Sequence, residues 1–105
     1  MMGKPIKIRA KVKDQNAEVK ALMPHDMESG LRRDPDSGET VPAHYITDVV
    51  VEHNGETVMN AYWGPAVSKN PYVAFTVLGA ASGDSIRIRW EDNLGDSSDT
   101  ETILK

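Results

Sequence analysis

The chain contains no cysteine. Disulfides and thiolate chemistry are excluded, and a zinc site would have to manage without sulfur. That absence does not fix a compartment, because a disulfide-free fold is allowed on both sides of a membrane. No apolar run is long enough to span a membrane as a helix. The first residues, Met1 to Arg9, lack an apolar h-region, so no signal peptide is expected. A basic excess is missing as well: 12 Lys and Arg stand against 16 Asp and Glu, a net charge of −4. This argues against a nucleic-acid binder, which would show a basic face; Lys4, Lys7, Arg9, Lys11 and Lys13 do cluster on the first strand, where the usual reason is a solvated strand face. There is no Gly-rich phosphate loop, internal repeat or low-complexity segment. At 105 residues the chain reads as one domain, 1–105, long enough to bury a real core.

What is present has a period of two nearly throughout. Ile6, Ile8, Ala10 and Val12 alternate with Lys7, Arg9, Lys11 and Lys13, as in a half-buried strand with one wet face. Val19, Ala21 and Met23 return against Glu18 and Lys20. A third strand is expected from Tyr45 to His53. Asn54-Gly55 then signals a two-residue hairpin, whose type I′ turn needs positive φ at both positions. That turn predicts His53 opposite Glu56, Val51 opposite Val58, Val50 opposite Met59 and Ile46 opposite Trp63. One hairpin face then carries Ile46, Val50, Met59, Ala61 and Trp63. The other carries Tyr45, Val49, Val51, Val58 and Tyr62. Only one face of a sandwich sheet meets the core, so the second apolar face must be covered by a loop, by the edge of the other sheet or by another molecule. Further strands are expected at Tyr72 to Leu78, Ser85 to Trp90 and Thr100 to Leu104. The prediction is all-β: an immunoglobulin-like β-sandwich of about seven strands, without the Cys-Trp-Cys signature of antibody domains.

Between the second and third strands, Pro24 to His44 shows neither period. Loops of this length are uncommon in small domains and usually bind or cover something. Leu31, Val41 and Pro42 are its expected apolar anchors, and Glu28 with Arg32 or Arg33 offers a local ion pair.

Catalytic chemistry is not legible. The serines lie near turns and none sits in a nucleophile elbow. Asp34, Asp36 and Gly38 fail the spacing of a calcium loop. His44 and His53 are an odd number of residues apart, so an unbulged strand points them to opposite faces. His25 would approach His44 only if the long loop closes on itself, and with Asp26 or Glu28 the pair would make a weak metal site. Asp92, Asp96 and Asp99 read as a solvated hairpin turn. No catalytic residue, metal ligand or cofactor site is assigned, and a binding or structural subunit is favoured over an enzyme.

Three segments carry a resemblance: Met27-Glu-Ser-Gly-Leu-Arg-Arg33, Val41-Pro-Ala-His-Tyr-Ile46 and Trp63-Gly-Pro-Ala-Val-Ser-Lys-Asn-Pro71. With Gly83-Asp84 and Trp90-Glu-Asp-Asn-Leu-Gly95 they resemble the SoxZ family, the Z subunits of the bacterial sulfur-oxidation carrier complex. Asp26, where Pro is expected after His, and Ser29, where Thr is common, depart from the pattern. The resemblance implies an immunoglobulin-like, non-catalytic subunit that pairs with a Y subunit bearing sulfur intermediates on a cysteine. It also implies a periplasmic location, reached by export with the partner, and indirect dealings with periplasmic Sox enzymes. Tyr45, Val49, Val51, Val58, Tyr62 and Trp63, with Ser68, Lys69 and Asn70 of the following loop, are the candidate partner contacts. Tyr62 and Trp63 point to opposite faces, so one is expected as anchor and the other as core. The alternatives are a free-standing metal-binding sandwich and one that self-associates through the apolar hairpin face.

Overall fold

The computed structural model describes residues 3–105 and is all-β: no helix occurs among the described residues. Seven strands form: β1 (Lys7–Lys13), β2 (Asn16–Leu22), β3 (Ile46–His53), β4 (Glu56–Tyr62), β5 (Tyr72–Leu78), β6 (Ser85–Asp92) and β7 (Ser97–Ile103). They build two antiparallel sheets, one ordered β1-β2-β5 and the other β4-β3-β6-β7. This is the immunoglobulin-like sandwich expected from the period-two patterning.

The core lies between the sheets. Ala17, Val19 and Ala21 of β2 face Val49 and Val51 of β3 and Ile86, Ile88 and Trp90 of β6, all buried. Each of these sets falls on alternate positions of its strand, so burial follows directly from the pleat. Burying a Val or Ile side chain contributes about 1.5–3 kcal/mol, and Ile6, Met23, Met27, Ile46, Val77, Ala80 and Leu104 complete the buried cluster.

The turn at Asn54-Gly55 forms as expected, with φ of 51° and 84°. His53 pairs with Glu56, but the register then shifts between Val51 and Glu52. Val51 pairs with Met59, Val50 with Asn60 and Val49 with Ala61. The expected pairing of Val51 with Val58 and of Val50 with Met59 is therefore corrected: the bulge takes up Val58 as an extra residue. A second irregularity in β3, between Ile46 and Asp48, brings Ile46 onto the same face as Val49 and Val51. Together the two bulges gather Ile46, Val49, Val51, Met59, Ala61 and Trp63 on the core side. The second apolar face expected for the hairpin does not exist. Its place is taken by Asp48, Val50, Asn60, Tyr62, Arg89 and Glu91 around a shallow, largely polar depression.

Candidate functional site

The stretch 24–44 is held by its own backbone. Glu28 and His44 exchange N–H···O bonds of 2.6 and 2.9 Å. Further out, the Val41 N–H donates to Arg32 O, and the Asp34 N–H to Glu39 O. The segment is thus a narrow ribbon whose base packs on the sandwich and whose tip projects into solvent. Leu31, expected as an anchor, is 86% exposed; the apolar residue that plugs into the core is Met27. The Glu28–Arg32 pair does form, at 2.8 Å. The Arg32 guanidinium, hydrogen-bonded to the carboxylate, holds Glu28 below its ordinary range. The pair is exposed and so contributes little to stability.

At the ribbon's base three side chains converge. His25 Nε2 lies 3.0 Å and His44 Nε2 2.7 Å from the same oxygen, Oδ2 of Asp92. The other carboxylate oxygen, Oδ1, accepts the N–H groups of Leu94 and Asp96. Asp92 has no exposed side-chain surface. Burial pushes its carboxyl up, but the bonds from His25, His44, Asp96 and Leu94 outweigh this and leave it below the ordinary carboxylate range. Four donors converge on this one buried carboxylate and satisfy its hydrogen-bonding capacity. The His25 ring stands edge-on to Trp90 at 5.0 Å and to His44 at 4.5 Å. Trp90 Nε1 is buried without a hydrogen-bond partner among the described residues.

The loop does close on itself, as the metal reading required, but the acid it finds is Asp92 rather than Asp26 or Glu28. The three ligand-type atoms lie within 4.8 Å of one another. Their chemistry is set by a fourth contact: the Met27 N–H donates to His25 Nδ1 at 3.0 Å. A ring nitrogen that accepts carries no proton, so the proton of neutral His25 sits on Nε2 and points at Asp92. A metal would need that Nε2 lone pair, and moving the proton to Nδ1 would set two N–H groups against each other. The donor set suits a hydrogen-bonded clasp better than an ion. The sequence alone suggests a solvated turn at Asp92, and the structure buries it. The signal that exposes it is the period of β6: Ile86, Ile88, Trp90 and Asp92 all fall on the inward face.

The clasp also organises the segment after β4. The Asn70 side chain accepts from the His25 N–H at 3.1 Å, and the Asn70 N–H donates to His25 O at 2.9 Å. Asn70 therefore already has a role within the chain. Ser68 and Lys69 are exposed beside it. Of the remaining candidate contacts, Val49 and Val51 are fully buried and are not surface at all. Tyr45 and Trp63 pack partly against the core. Val58 and Tyr62 stay accessible, at 49% and 78%. Of the neighbouring aromatics, Tyr62 is thus the outward one and Trp63 the inward one.

One flank of the sandwich is uncovered. β4 and β5 are the edge strands of their sheets. Between them lies a depression lined by Val58, Met59, Phe75, Thr76, Val77 and Leu78. Leu78 is 76% exposed. β5 carries no charged residue and β4 only Glu56. Charges are the usual device that keeps a free edge from pairing with another chain, and this flank has only that one, at the start of β4.

Comparison with curated proteins gives no match. The family model for sulphur oxidation protein SoxZ matches residues 6–103, which takes in all seven strands, the clasp and the ribbon. The chain belongs to the SoxZ family of sulphur oxidation proteins.

Proposed function

We propose that this chain is the non-catalytic half of a two-subunit sulfur carrier, pairing with a Y-type subunit that holds the sulfur substrate on a cysteine. The observation that carries the reading is the family match over nearly the whole chain. The chain's own chemistry supports it, because without cysteine it has no thiolate on which a sulfur adduct forms. The clasp does not alter this, since its carboxylate is fully engaged by donors.

We place the partner on the β4–β5 flank, with Val58, Tyr62 and Leu78 as contacts. Stable interfaces bury on the order of 1,600 Å² around aromatic and aliphatic anchors. Two free edges with a single charge between them, Glu56, beside an apolar depression meet that need better than the polar outer face of β3 and β6. The pair is proposed to work in the periplasm.

The test is co-expression with the cognate Y subunit. A one-to-one complex is expected from the parent chain, and a weaker one from Val58→Asp and Leu78→Asp, whose folds stay intact. A chain that remains alone, or that pairs only with itself through the same flank, contradicts the proposal. Recovery of the pair from the periplasmic fraction tests the location; recovery only from the cytoplasm contradicts it.

A further inference from the structure

Across the outer face of the β1-β2-β5 sheet the residues stand in rows fixed by the strand register. Arg9 lies beside Lys20 and then Ala74; Lys11 beside Glu18 and Thr76; Lys7 beside Leu22 and Tyr72. Lys13 extends the basic row at the far end, beside Asn16. Five cations and one carboxylate give this face a charge of +4. With a chain net charge of −4, the rest of the molecule carries −8. Among the described residues none of the five cations is in an ion pair; the arginines that are paired, Arg32 and Arg87, lie elsewhere.

A bland explanation exists: lysines on an edge strand discourage edge-to-edge pairing. It covers β1 but not Lys20, which sits on the central strand β2. Nor does it explain why Arg9 and Lys20 are direct cross-strand partners, an arrangement of like charges that weakens a sheet. The opposite edge strand of the same sheet, β5, has no charge whatever. Edge protection thus accounts for the cations of β1 but not for Lys20 or the Arg9–Lys20 pair, and β5 goes without it.

We infer that this face docks an acidic protein surface. Shallow depressions on either side of Arg9 and Lys20 give carboxylates places to enter. Exposed Tyr72 and Leu78 border the basic stripe, the mixture of aromatic, aliphatic and basic groups found in protein contacts. An extended polyanion fits less well. The seven residues of β1 span only about 23 Å, so a nucleic acid or an anionic bilayer would overrun the stripe onto surface carrying −8. A protein confines its carboxylates to the footprint. This inference is independent of the carrier reading and of the β4–β5 flank.

The test uses a carbodiimide, which joins a lysine Nζ to a carboxylate only where the two touch. It is applied to intact cells that naturally make the full chain, and the linked residues are read by mass spectrometry. Links are expected from Lys7, Lys11, Lys13 or Lys20 to Asp or Glu of one other protein. A synthetic peptide spanning those carboxylates should then bind the purified chain about tenfold less tightly when Arg9 and Lys20 are changed to Glu, or when salt is raised to about 0.5 M. Arg9→Glu alone should leave the thermal midpoint unchanged or raise it, because it turns a like pair into an opposite one. Links to the Y subunit would support this face and overturn the placement of Y on the β4–β5 flank. The inference fails if these four lysines form no link, or if they link only to a second copy of the chain. It also fails if a short duplex DNA or phosphatidylserine vesicles bind the face as tightly as the peptide does.

Discussion

His25 and Asp92 are 67 residues apart in sequence and meet at 3.0 Å, with both side chains out of solvent. The contact ties the base of a projecting ribbon to the end of β6. Through the Met27 amide it also fixes which nitrogen of His25 carries the proton. Substitution at Asp92 is therefore expected to be costly. Asp92→Asn turns two of the four accepting positions into donors, and His25 cannot switch roles to meet them. Loss of about 2 kcal/mol or more is expected, a fall in Tm on the order of 10 °C for a domain of this size. Urea unfolding of the variant checks it; a stability equal to the parent's would show that the clasp is not the anchor.

Metal should not alter this site. Addition of zinc or nickel, or treatment with a chelator, is expected to leave Tm unchanged, and nitrogen NMR of His25 should show the Nε2–H tautomer. A stoichiometric ion that raises Tm would mean that the Met27 amide releases Nδ1.

Acid should weaken the fold through carboxylates. Asp84, held by bonds from the Ala81 amide, His53 and Asn54, titrates at about 2 instead of 3.8. Asp92 is likewise lowered, against the pull of burial. The folded state thus binds these protons less readily than the unfolded state. The stability they contribute is present above the ordinary carboxylate pKa and is lost as pH falls, for Asp84 through about 2. Unfolding followed from pH 6 downward should show a steep acid limb that Asp84→Asn makes shallower. An unchanged slope in that variant would contradict the assignment.

Gly3 tests the cover over the tryptophan. A Cβ at this position would run into Cη2 and Cζ2 of Trp90, and a buried indole cannot yield as a flexible chain end can. Gly3→Ala should cost about 1–3 kcal/mol and change the tryptophan fluorescence. Gly64→Ala, with nothing within 4 Å, serves as the neutral control.

Much of the fold was legible because burial on two sheets imposes a period of two. Ile86, Ile88 and Trp90, or Val19 and Ala21, could be placed from alternation alone. Asn54-Gly55 was legible because few dipeptides accept positive φ twice. The bulges in β3 and at Val58 were not, since an extra residue in a strand leaves no mark in composition. Missing them moved Val49 and Val51 from core to supposed surface and created an apolar face that does not exist. The clasp was half legible: closure of the loop was foreseen as the condition for His25 to meet His44. The acid was missed because Asp92-Asn-Leu-Gly95 looks like a turn from outside, and only the count back through Trp90 shows that it faces inward. Leu31 was misplaced because apolar character alone does not distinguish an anchor from an exposed tip.

The central claim is that the flank between β4 and β5 holds the Y-type partner. Its most direct test is the dissociation constant of the purified pair, measured for the parent chain and for Leu78→Asp, with folding verified by circular dichroism. Leu78 is exposed, so the fold should survive, while a charge buried in the interface should weaken binding by about 2 kcal/mol or more, some thirtyfold. Equal affinity for the two chains would contradict the account.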